Sequence, residues 1–268
     1  MNDKYEFTGE TKELPDGTVV HRIRALRDFD TIWGPVHKGV LGGWIEREGN
    51  LCQDGAAWVA GDAMVLGDAI VYRSAWVGEC AVVSENARCS GRSLIQGMAR
   101  VKGSAMVLED ATVEEGALVE ENARVGGRAW VHDRARIAGF ARITGCACVC
   151  ENAEASGSTL IGSSSTIKGN AKIDGTAIIV IPARIGETAH ISATKDFIII
   201  GPIGSRSENT TVFKDRDDGV IVITGCFTGT LDEFETAVHN EHGDSEIGKE
   251  YKALIELARI RFADVLNT

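Results

Sequence analysis

Residues 63–74 read AMVLGDAIVYRS and contain a six-residue unit twice: an Ala, one variable residue, a Val, and then turn-forming residues. The same period continues without an inserted loop from residue 57 to residue 191. A repeat of this length is the signature of a solenoid. Its β-branched positions are interrupted only by Cys89 and Ala155: Val59, Val65, Val71, Val77, Val83, Cys89, Ile95, Val101, Val107, Val113, Val119, Val125, Val131, Ile137, Ile143, Val149, Ala155, Ile161, Ile167, Ile173, Ile179, Ile185 and Ile191.

Each six-residue unit predicts one short strand and one corner. Ala and Val two positions apart point to the same side of a strand, and the Gly, Asn, Asp and Glu residues between strands favour tight corners. Three units complete one triangular coil of 18 residues, so residues 57–194 provide about 7.7 coils. Stacked about 4.8 Å apart, these coils form a prism roughly 37 Å long.

The composition fits a narrow prism and limits the possible partners. The chain of 268 residues has 31 Gly, which suit corners, and only 6% aromatic residues, because the interior takes small and β-branched side chains. Its net charge of -11 argues against nucleic-acid polymers and anionic membranes as partners. The chain opens without a leader pattern, and no apolar run approaches a membrane span. The seven scattered Cys residues do not form a disulfide framework, so we expect a cytoplasmic protein.

The repeat resembles the hexapeptide-repeat left-handed parallel β-helix, as in AMVLGD (63–68) and AKIDGT (171–176). Many enzymes of this type transfer an acyl group from an acyl-CoA, and they place a His between neighbouring prisms as the general base. The resemblance therefore implies a mainly β fold, three-fold assembly and, for an enzyme, acetyl-CoA as the cofactor.

The segment ahead of the repeat carries a second resemblance. LRDF (26–29), LGGWI (41–45) and NL (50–51) look like the leading segment of an uncharacterised group of bacterial and phage β-helix proteins, some of which carry an acetyltransferase label. Together with the repeat, this resemblance covers roughly residues 20–190. It is specific for the fold and implies little about activity, because the label rests mostly on the repeat.

The outward residue ahead of each Val or Ile falls on one of three faces, because 18 residues return to the same face. One face collects three of the five tryptophans. An exposed aromatic ladder marks an interface, which favours a homotrimer of prisms packed side by side. The alternative is that residues 1–56 fold back over this face. The predicted interface residues are Trp58, Trp76, Leu94 and Trp130.

His132 is the candidate catalytic base if the chain is an acyltransferase. It follows Val131 outward, two residues from Trp130 on the same face. The uninterrupted repeat argues against this activity, because acyltransferases with this fold often bind the acceptor with a loop inserted into a coil. The alternative is that His132 is a solvated or interface residue.

The CACVC motif, residues 146–150, invites a metal hypothesis. In a strand, Cys148 and Cys150 face outward about 7 Å apart. That separation is too large for two ligands of one zinc ion, so we expect surface thiols here and no metal site.

Three segments are predicted: an N-terminal cap over 1–56, the left-handed β-helix over 57–194, and a C-terminal α+β module over 195–268. The period stops after Ala193, and the module is predicted as a β-hairpin followed by two helices.

Within the module, the strands are predicted around 210–213 and over 220–227, with a turn at Asp217-Asp218-Gly219. Thr230-Leu231-Asp232-Glu233 is a capping box that opens the first helix, and the second begins near Ser245 and runs toward Leu266.

The module looks like one found in phage and prophage proteins of unassigned role. The resemblance rests on GPIGSR (201–206), TT (210–211) and GCFTGTLDEF (225–234), covers about residues 197–262, and implies no established reaction.

These motifs also predict an anion site. A Gly-rich loop can present backbone N–H groups and the planar guanidinium of Arg206, and amides ahead of a helix can face an anion. The alternative is a capping loop with Arg206 paired to Glu208. Cys226 is either a nucleophile near a helix start or a structural residue. The predicted ligand residues are Gly204, Ser205, Arg206, Thr210, Thr211, Cys226, Phe227 and Thr228.

We therefore expect an oligomeric, phage-encoded binding protein of the host cytoplasm that uses no cofactor. Its C-terminal module would bind, and sequester, a phosphorylated nucleotide-like ligand. Two alternatives stay open. One is an acyl-CoA-dependent acyltransferase with its site between subunits, and the other is a structural phage protein.

Overall fold

A computed structural model describes residues 4–217 and 219–266. Over these ranges the chain is mainly β: a parallel β-solenoid of about eight turns lies between N-terminal strands and a small C-terminal module of sheet and helices. The predicted fold class is confirmed. None of the helices in the described ranges has both the length and the apolar composition to cross a membrane.

The N-terminal strands extend one sheet of the solenoid. They are Tyr5–Glu13 (β1), Val19–Ala25 (β2), Phe29–Thr31 (β3), Gly34–Val36 (β4) and Leu41–Ile45 (β5), followed by a 3-10 turn at Glu48–Asn50. β2 is antiparallel to both β1 and β5, whereas β5 runs parallel to the solenoid strand that contains Met64. Parallel pairing therefore begins ahead of residue 57, where the repeat becomes regular in the sequence.

A buried lysine satisfies backbone groups where the N-terminal strands meet the first coil. The side chain of Lys4 is fully buried, and its ammonium group donates to the carbonyls of Cys52 and Ala57, the latter at 3.0 Å. Burial lowers the pKa of Lys4 to about 8. The ammonium replaces the backbone partners that a further coil would have provided.

The solenoid contains 23 two-residue strands, β6–β28 in chain order, in three parallel sheets that match the predicted faces. The Trp-rich face, as we call the first, has Trp58–Val59, Trp76–Val77, Leu94–Ile95, Thr112–Val113, Trp130–Val131, Cys148–Val149, Thr166–Ile167 and Arg184–Ile185. The second has Met64–Val65, Val82–Val83, Arg100–Val101, Leu118–Val119, Arg136–Ile137, Glu154–Ala155, Lys172–Ile173 and His190–Ile191. The third has Ile70–Val71, Arg88–Cys89, Met106–Val107, Arg124–Val125, Arg142–Ile143, Leu160–Ile161 and Ile178–Ile179.

Every coil is hydrogen-bonded to the next through the backbone. The N–H of Met64 donates to the carbonyl of Ala81 at 2.9 Å, and the N–H of Leu66 donates to that of Val83 at 2.9 Å. Each residue therefore stacks on the residue 18 positions later. The inward Ala, Val and Ile side chains are almost completely buried along the whole prism, which explains why larger residues are absent there.

The corners require one residue with positive φ, and acidic side chains occupy many of these positions. A residue other than Gly costs roughly 1 to 2 kcal/mol in this conformation. Several corner carboxylates offset that cost by accepting a backbone N–H from the next coil. Glu121 accepts from Gly139 at 2.8 Å, and Asp133 accepts from Glu151 at 2.9 Å. These bonds form a ladder along the edges of the prism.

The C-terminal module follows a 3-10 turn at Thr194–Asp196. Its strands are Phe197–Ile203 (β29), Glu208–Lys214 (β30), Val220–Thr224 (β31) and Phe227–Thr230 (β32), and its helices are Leu231–His242 (α1), Glu246–Arg261 (α2) and Ala263–Leu266 (α3). The strands form an antiparallel sheet in chain order. The predicted capping box is confirmed: the N–H of Thr230 donates to the Glu233 carboxylate at 2.8 Å, and the N–H of Glu233 donates to the Thr230 hydroxyl at 3.2 Å.

The module differs from the sequence prediction in two places. The sheet has four strands rather than a hairpin, because Gly225, with φ +54°, and Cys226 form a tight turn that divides the predicted strand over 220–227. The second helix ends at Arg261, and a separate short helix follows. The predicted turn at Asp217-Asp218-Gly219 includes Asp218, which lies outside the described residues.

Two corner glycines provide a matched test of coil stacking. Gly103 and Gly67 both have positive φ, +71° and +61°, but a Cβ on Gly103 would lie 2.6 Å from the Glu121 nitrogen, against 3.2 Å from the Glu85 nitrogen for Gly67. Both Ala variants bear the conformational cost of about 1 to 2 kcal/mol. We expect Gly103→Ala to lose about 1 to 3 kcal/mol more from overpacking. Thermal melting measures this difference, and equal losses in the two variants would contradict the stacking described here.

Candidate functional site

A cavity of about 250 Å³ lies within the C-terminal module. It is smaller than the roughly 300–1,000 Å³ typical of ligand pockets, so it suits a small molecule or one part of a larger one. The turn between β29 and β30 supplies Ser205 and Arg206, and the turn between β31 and β32 supplies Cys226. The two longer helices supply Phe234 and Tyr251. The cavity therefore lies where the sheet meets the helices.

Four of the predicted ligand residues line this cavity: Ser205, Arg206, Cys226 and Phe227. Arg206 and Cys226 come from different turns of the sheet, and one guanidinium nitrogen of Arg206 lies 3.8 Å from the Cys226 sulfur. Both residues are exposed at the cavity mouth. The pairing brings together two motifs that lie 20 positions apart in the sequence.

The predicted threonines lie elsewhere. Thr210 and Thr211 are fully buried in the sheet, where the Thr210 hydroxyl donates to the Thr224 hydroxyl at 2.7 Å and the Thr211 hydroxyl accepts from the backbone of Arg184 at 3.4 Å. Thr228 is exposed on β32 and does not line the cavity. Thr224, which the sequence did not single out, does line it.

Gly204 adjoins the cavity but does not present a free amide to it. Its N–H donates to the Glu250 carboxylate at 3.1 Å, so a carboxylate of the same chain already occupies this anion-binding position. Gly204 has φ +74°, and a Cβ there would lie 1.8 Å from the Tyr251 hydroxyl oxygen. Glycine is thus required for Tyr251 to approach the loop.

Aromatic rings build one wall of the cavity. The Phe227 and Phe234 centroids lie 5.2 Å apart, Phe234 meets Tyr251 edge-on at 5.2 Å, and His242 lies 5.7 Å from Tyr251. Tyr251 is only 6% exposed, yet its hydroxyl has no hydrogen-bond partner among residues 4–217 and 219–266. The hydroxyl lies at the cavity surface and is available to a polar group of a ligand.

The charges around the cavity are mixed. Arg206 forms no ion pair within the described part of the chain, so the predicted pairing with Glu208 is absent there. Glu208 and Glu241 nevertheless line the same cavity. The guanidinium can therefore meet one anionic group, while the two carboxylates disfavour a ligand with many negative charges.

His132 is held between an acid and a thiol on the Trp-rich face. Its Nδ1 lies 3.1 Å from the Asp133 carboxylate, its Nε2 lies 3.4 Å from the Cys148 sulfur, and its ring stacks on Trp130 with centroids 4.1 Å apart. The nitrogen that would act as a general base thus faces Cys148.

The expected separation of Cys148 and Cys150 was wrong. Their sulfurs and a ring nitrogen of His132 all lie within 4.8 Å of one another, while Cys146 is exposed and outside this group. The strand is only two residues long, so Cys150 already belongs to the corner and its side chain is buried. Burial raises the pKa of the Cys150 thiol to about 12.

The Trp-rich face is only partly exposed. Trp58 is 1% exposed beneath Phe29, whose ring meets it edge-on at 5.4 Å, so the N-terminal segment covers this end of the face. Leu94 is also buried and Trp76 is half-buried, whereas Trp130 is 45% exposed. Trp58 is thereby removed from the predicted interface, and Trp130 remains its most accessible member.

Variants of Tyr251 and Gly204 test whether the fold depends on the Tyr251 hydroxyl or on the glycine backbone at position 204. Tyr251→Phe should change the free energy of unfolding by less than about 0.5 kcal/mol, and so leave the melting temperature nearly unchanged. The reason is that the hydroxyl has no hydrogen-bond partner among the described residues to lose. Gly204→Ala should lower the melting temperature clearly, because the new Cβ meets the Tyr251 ring at a backbone position with positive φ. If Tyr251→Phe destabilised the chain as much as Gly204→Ala, the hydroxyl would have a structural role instead.

Comparison with known proteins assigns this chain to no family. No protein-family model matches it, and no curated protein matches its sequence.

Proposed function

We propose that this chain is an oligomeric small-molecule-binding protein whose C-terminal cavity holds a phosphorylated, nucleotide-like ligand without changing it. The observation that carries the proposal is the Arg206 guanidinium, which has no ion-pair partner within the described ranges and lies beside an aromatic wall of Phe227, Phe234 and Tyr251. A guanidinium binds two phosphate oxygens at once, and aromatic rings pack against a planar base.

The size of the cavity suggests which part of such a ligand would lie inside it and which part would stay outside. The base would enter the cavity of about 250 Å³, with the hydroxyls of Tyr251 and Thr224 near its polar edge. The phosphate would stay at the mouth beside Arg206, where the guanidinium is exposed. Glu208 and Glu241 can accept hydrogen bonds from sugar hydroxyls, and their charges favour a ligand with few phosphates.

The biological role that we propose is sequestration of a host nucleotide signal by a phage-encoded protein. It rests on the likeness of the module to phage and prophage proteins, which is an argument by analogy. Acyl transfer with acetyl-CoA is less favoured, because Cys148 lies against the nitrogen of His132 that would have to be free. No contact among the described residues favours a purely structural role in a phage particle.

Ligand-induced stabilisation tests this proposal. We expect nucleoside monophosphates to raise the melting temperature of the full chain, and matched nucleosides and acetyl-CoA to leave it unchanged. A ligand at 100 times its Kd stabilises the folded state by about 2.7 kcal/mol. Arg206→Met should weaken the binding by about 10- to 100-fold, because it removes a charge-assisted pair worth roughly 1.5 to 3 kcal/mol.

Arg100→Met is the matched control, because Arg100 is also an exposed arginine but lies on the second face of the solenoid. It should bind like the unmodified chain. Stabilisation by acetyl-CoA alone, or equal binding by the Arg206 and Arg100 variants, would contradict the proposed site.

We also propose that the solenoids assemble as a homotrimer, with Trp130 of the Trp-rich face in the contact. Its 45% exposure would leave a large aromatic surface in water in a monomer. Light scattering of the full chain should give three times the chain mass of 28.7 kDa. A value equal to one chain would contradict the trimer while leaving the cavity in the module intact.

A further inference from the structure

Three side chains with metal-binding atoms meet on the Trp-rich face, remote in sequence from the C-terminal cavity. Cys148 pairs with Trp130 of the preceding coil, and Cys150 lies 18 positions after His132. The His132 ring lies over Trp130, which directs its Nε2 toward the sulfur of Cys148. The coil period therefore brings one imidazole and two thiols together from two successive coils.

The distances suit a single tetrahedral ion. With Zn–N of about 2.1 Å and Zn–S of about 2.3 Å, a nitrogen and a sulfur ligand of one zinc ion lie about 3.6 Å apart. The observed distance from His132 Nε2 to Cys148 Sγ is 3.4 Å, and all three donor atoms lie within 4.8 Å of one another.

A carboxylate already orients the imidazole. Asp133 lies 3.1 Å from His132 Nδ1 and also accepts the backbone N–H of Glu151 at 2.9 Å, so its position is fixed from two sides. A carboxylate at this distance from Nδ1 favours a proton there and leaves Nε2 facing the Cys148 sulfur as a ligand, as in carboxylate–histidine–zinc sites.

We propose that His132 Nε2, Cys148 Sγ and Cys150 Sγ bind one Zn²⁺ ion, with a water molecule as the fourth ligand. On binding, the ion replaces one proton on each thiol, and both protons leave to solvent. The imidazole binds in its neutral form and keeps its Nδ1 proton toward Asp133. The ion links two successive coils where their outward side chains are those of Trp130, His132 and Cys148.

Metal titration of the reduced full chain tests this site. Co²⁺, used as a visible stand-in for Zn²⁺, should give thiolate-to-cobalt charge transfer and the intense visible bands of a tetrahedral site, saturating at one ion per chain. Excess Zn²⁺ should remove both signals. Zn²⁺ should also raise the melting temperature, because it binds only where the two coils are folded together.

Variants of this site distinguish the residues that bind the metal ion from nearby residues that do not. Combined Cys148→Ser and Cys150→Ser should abolish the cobalt bands, and His132→Gln should do the same without altering the buried Cys150. Asp133→Asn keeps an oxygen for the Glu151 amide and should weaken metal binding by about 10- to 100-fold. Cys146→Ser is the matched control, because Cys146 is an exposed thiol outside the cluster, and it should bind metal like the unmodified chain.

Three results would overturn the site. The first is stoichiometric metal binding that survives in both His132→Gln and the double Cys variant, with all variants melting like the parent chain in the absence of metal. The second is no binding by the reduced parent chain, with Cys148 and Cys150 recovered as a disulfide after oxidation. The third is no binding together with selective alkylation of Cys148, which would indicate a His-activated nucleophile instead.

Discussion

The backbone hydrogen bonds between coils 18 residues apart determine the rest of the solenoid. The N–H of His132, for example, donates to the carbonyl of Val149 at 3.1 Å, and the same step recurs along the prism. Because this register is fixed, every side chain has a defined neighbour one coil away. The inward positions admit only small and β-branched residues, and the corner carboxylates reach the amides of the following coil. A substitution at one corner therefore alters contacts in the neighbouring coil as well.

The same register explains what could be predicted from the sequence. A strict six-residue period predicts which side chains of each strand point inward and that three units close one triangular coil. Counting residues in steps of 18 therefore assigns each strand to one of the three faces. Counting does not give the distance between outward side chains near a corner. Cys148 and Cys150 were expected about 7 Å apart from an extended strand, but the strand ends at Val149 and the two sulfurs converge. Nor did the sequence show that Phe29 covers Trp58, because that contact depends on how the N-terminal strands join the coil.

The C-terminal module was less predictable for a related reason. Its cavity forms where two turns of the sheet meet two helices, and no period links Arg206 to Tyr251. Arg206 and Cys226, which the sequence singled out in two turn-forming motifs, do line the cavity, because turn residues mark places where backbone and side chains are accessible. Thr210 and Thr211 looked equally suitable in the sequence, but the pairing of β30 in the sheet buries both hydroxyls. The proposed ligand site therefore lies in the irregular module, outside the regular repeat of the solenoid.

We propose above all that this chain holds a small phosphorylated molecule in its C-terminal module. The most direct measurement is mass spectrometry of the small molecules released when the full chain, purified from cells, is denatured. We predict a nucleotide other than coenzyme A or an acyl-CoA, such as a nucleoside monophosphate, released by the unmodified chain and strongly reduced in Arg206→Met. Release of coenzyme A or an acyl-CoA, or of equal amounts of any compound from both proteins, would contradict it.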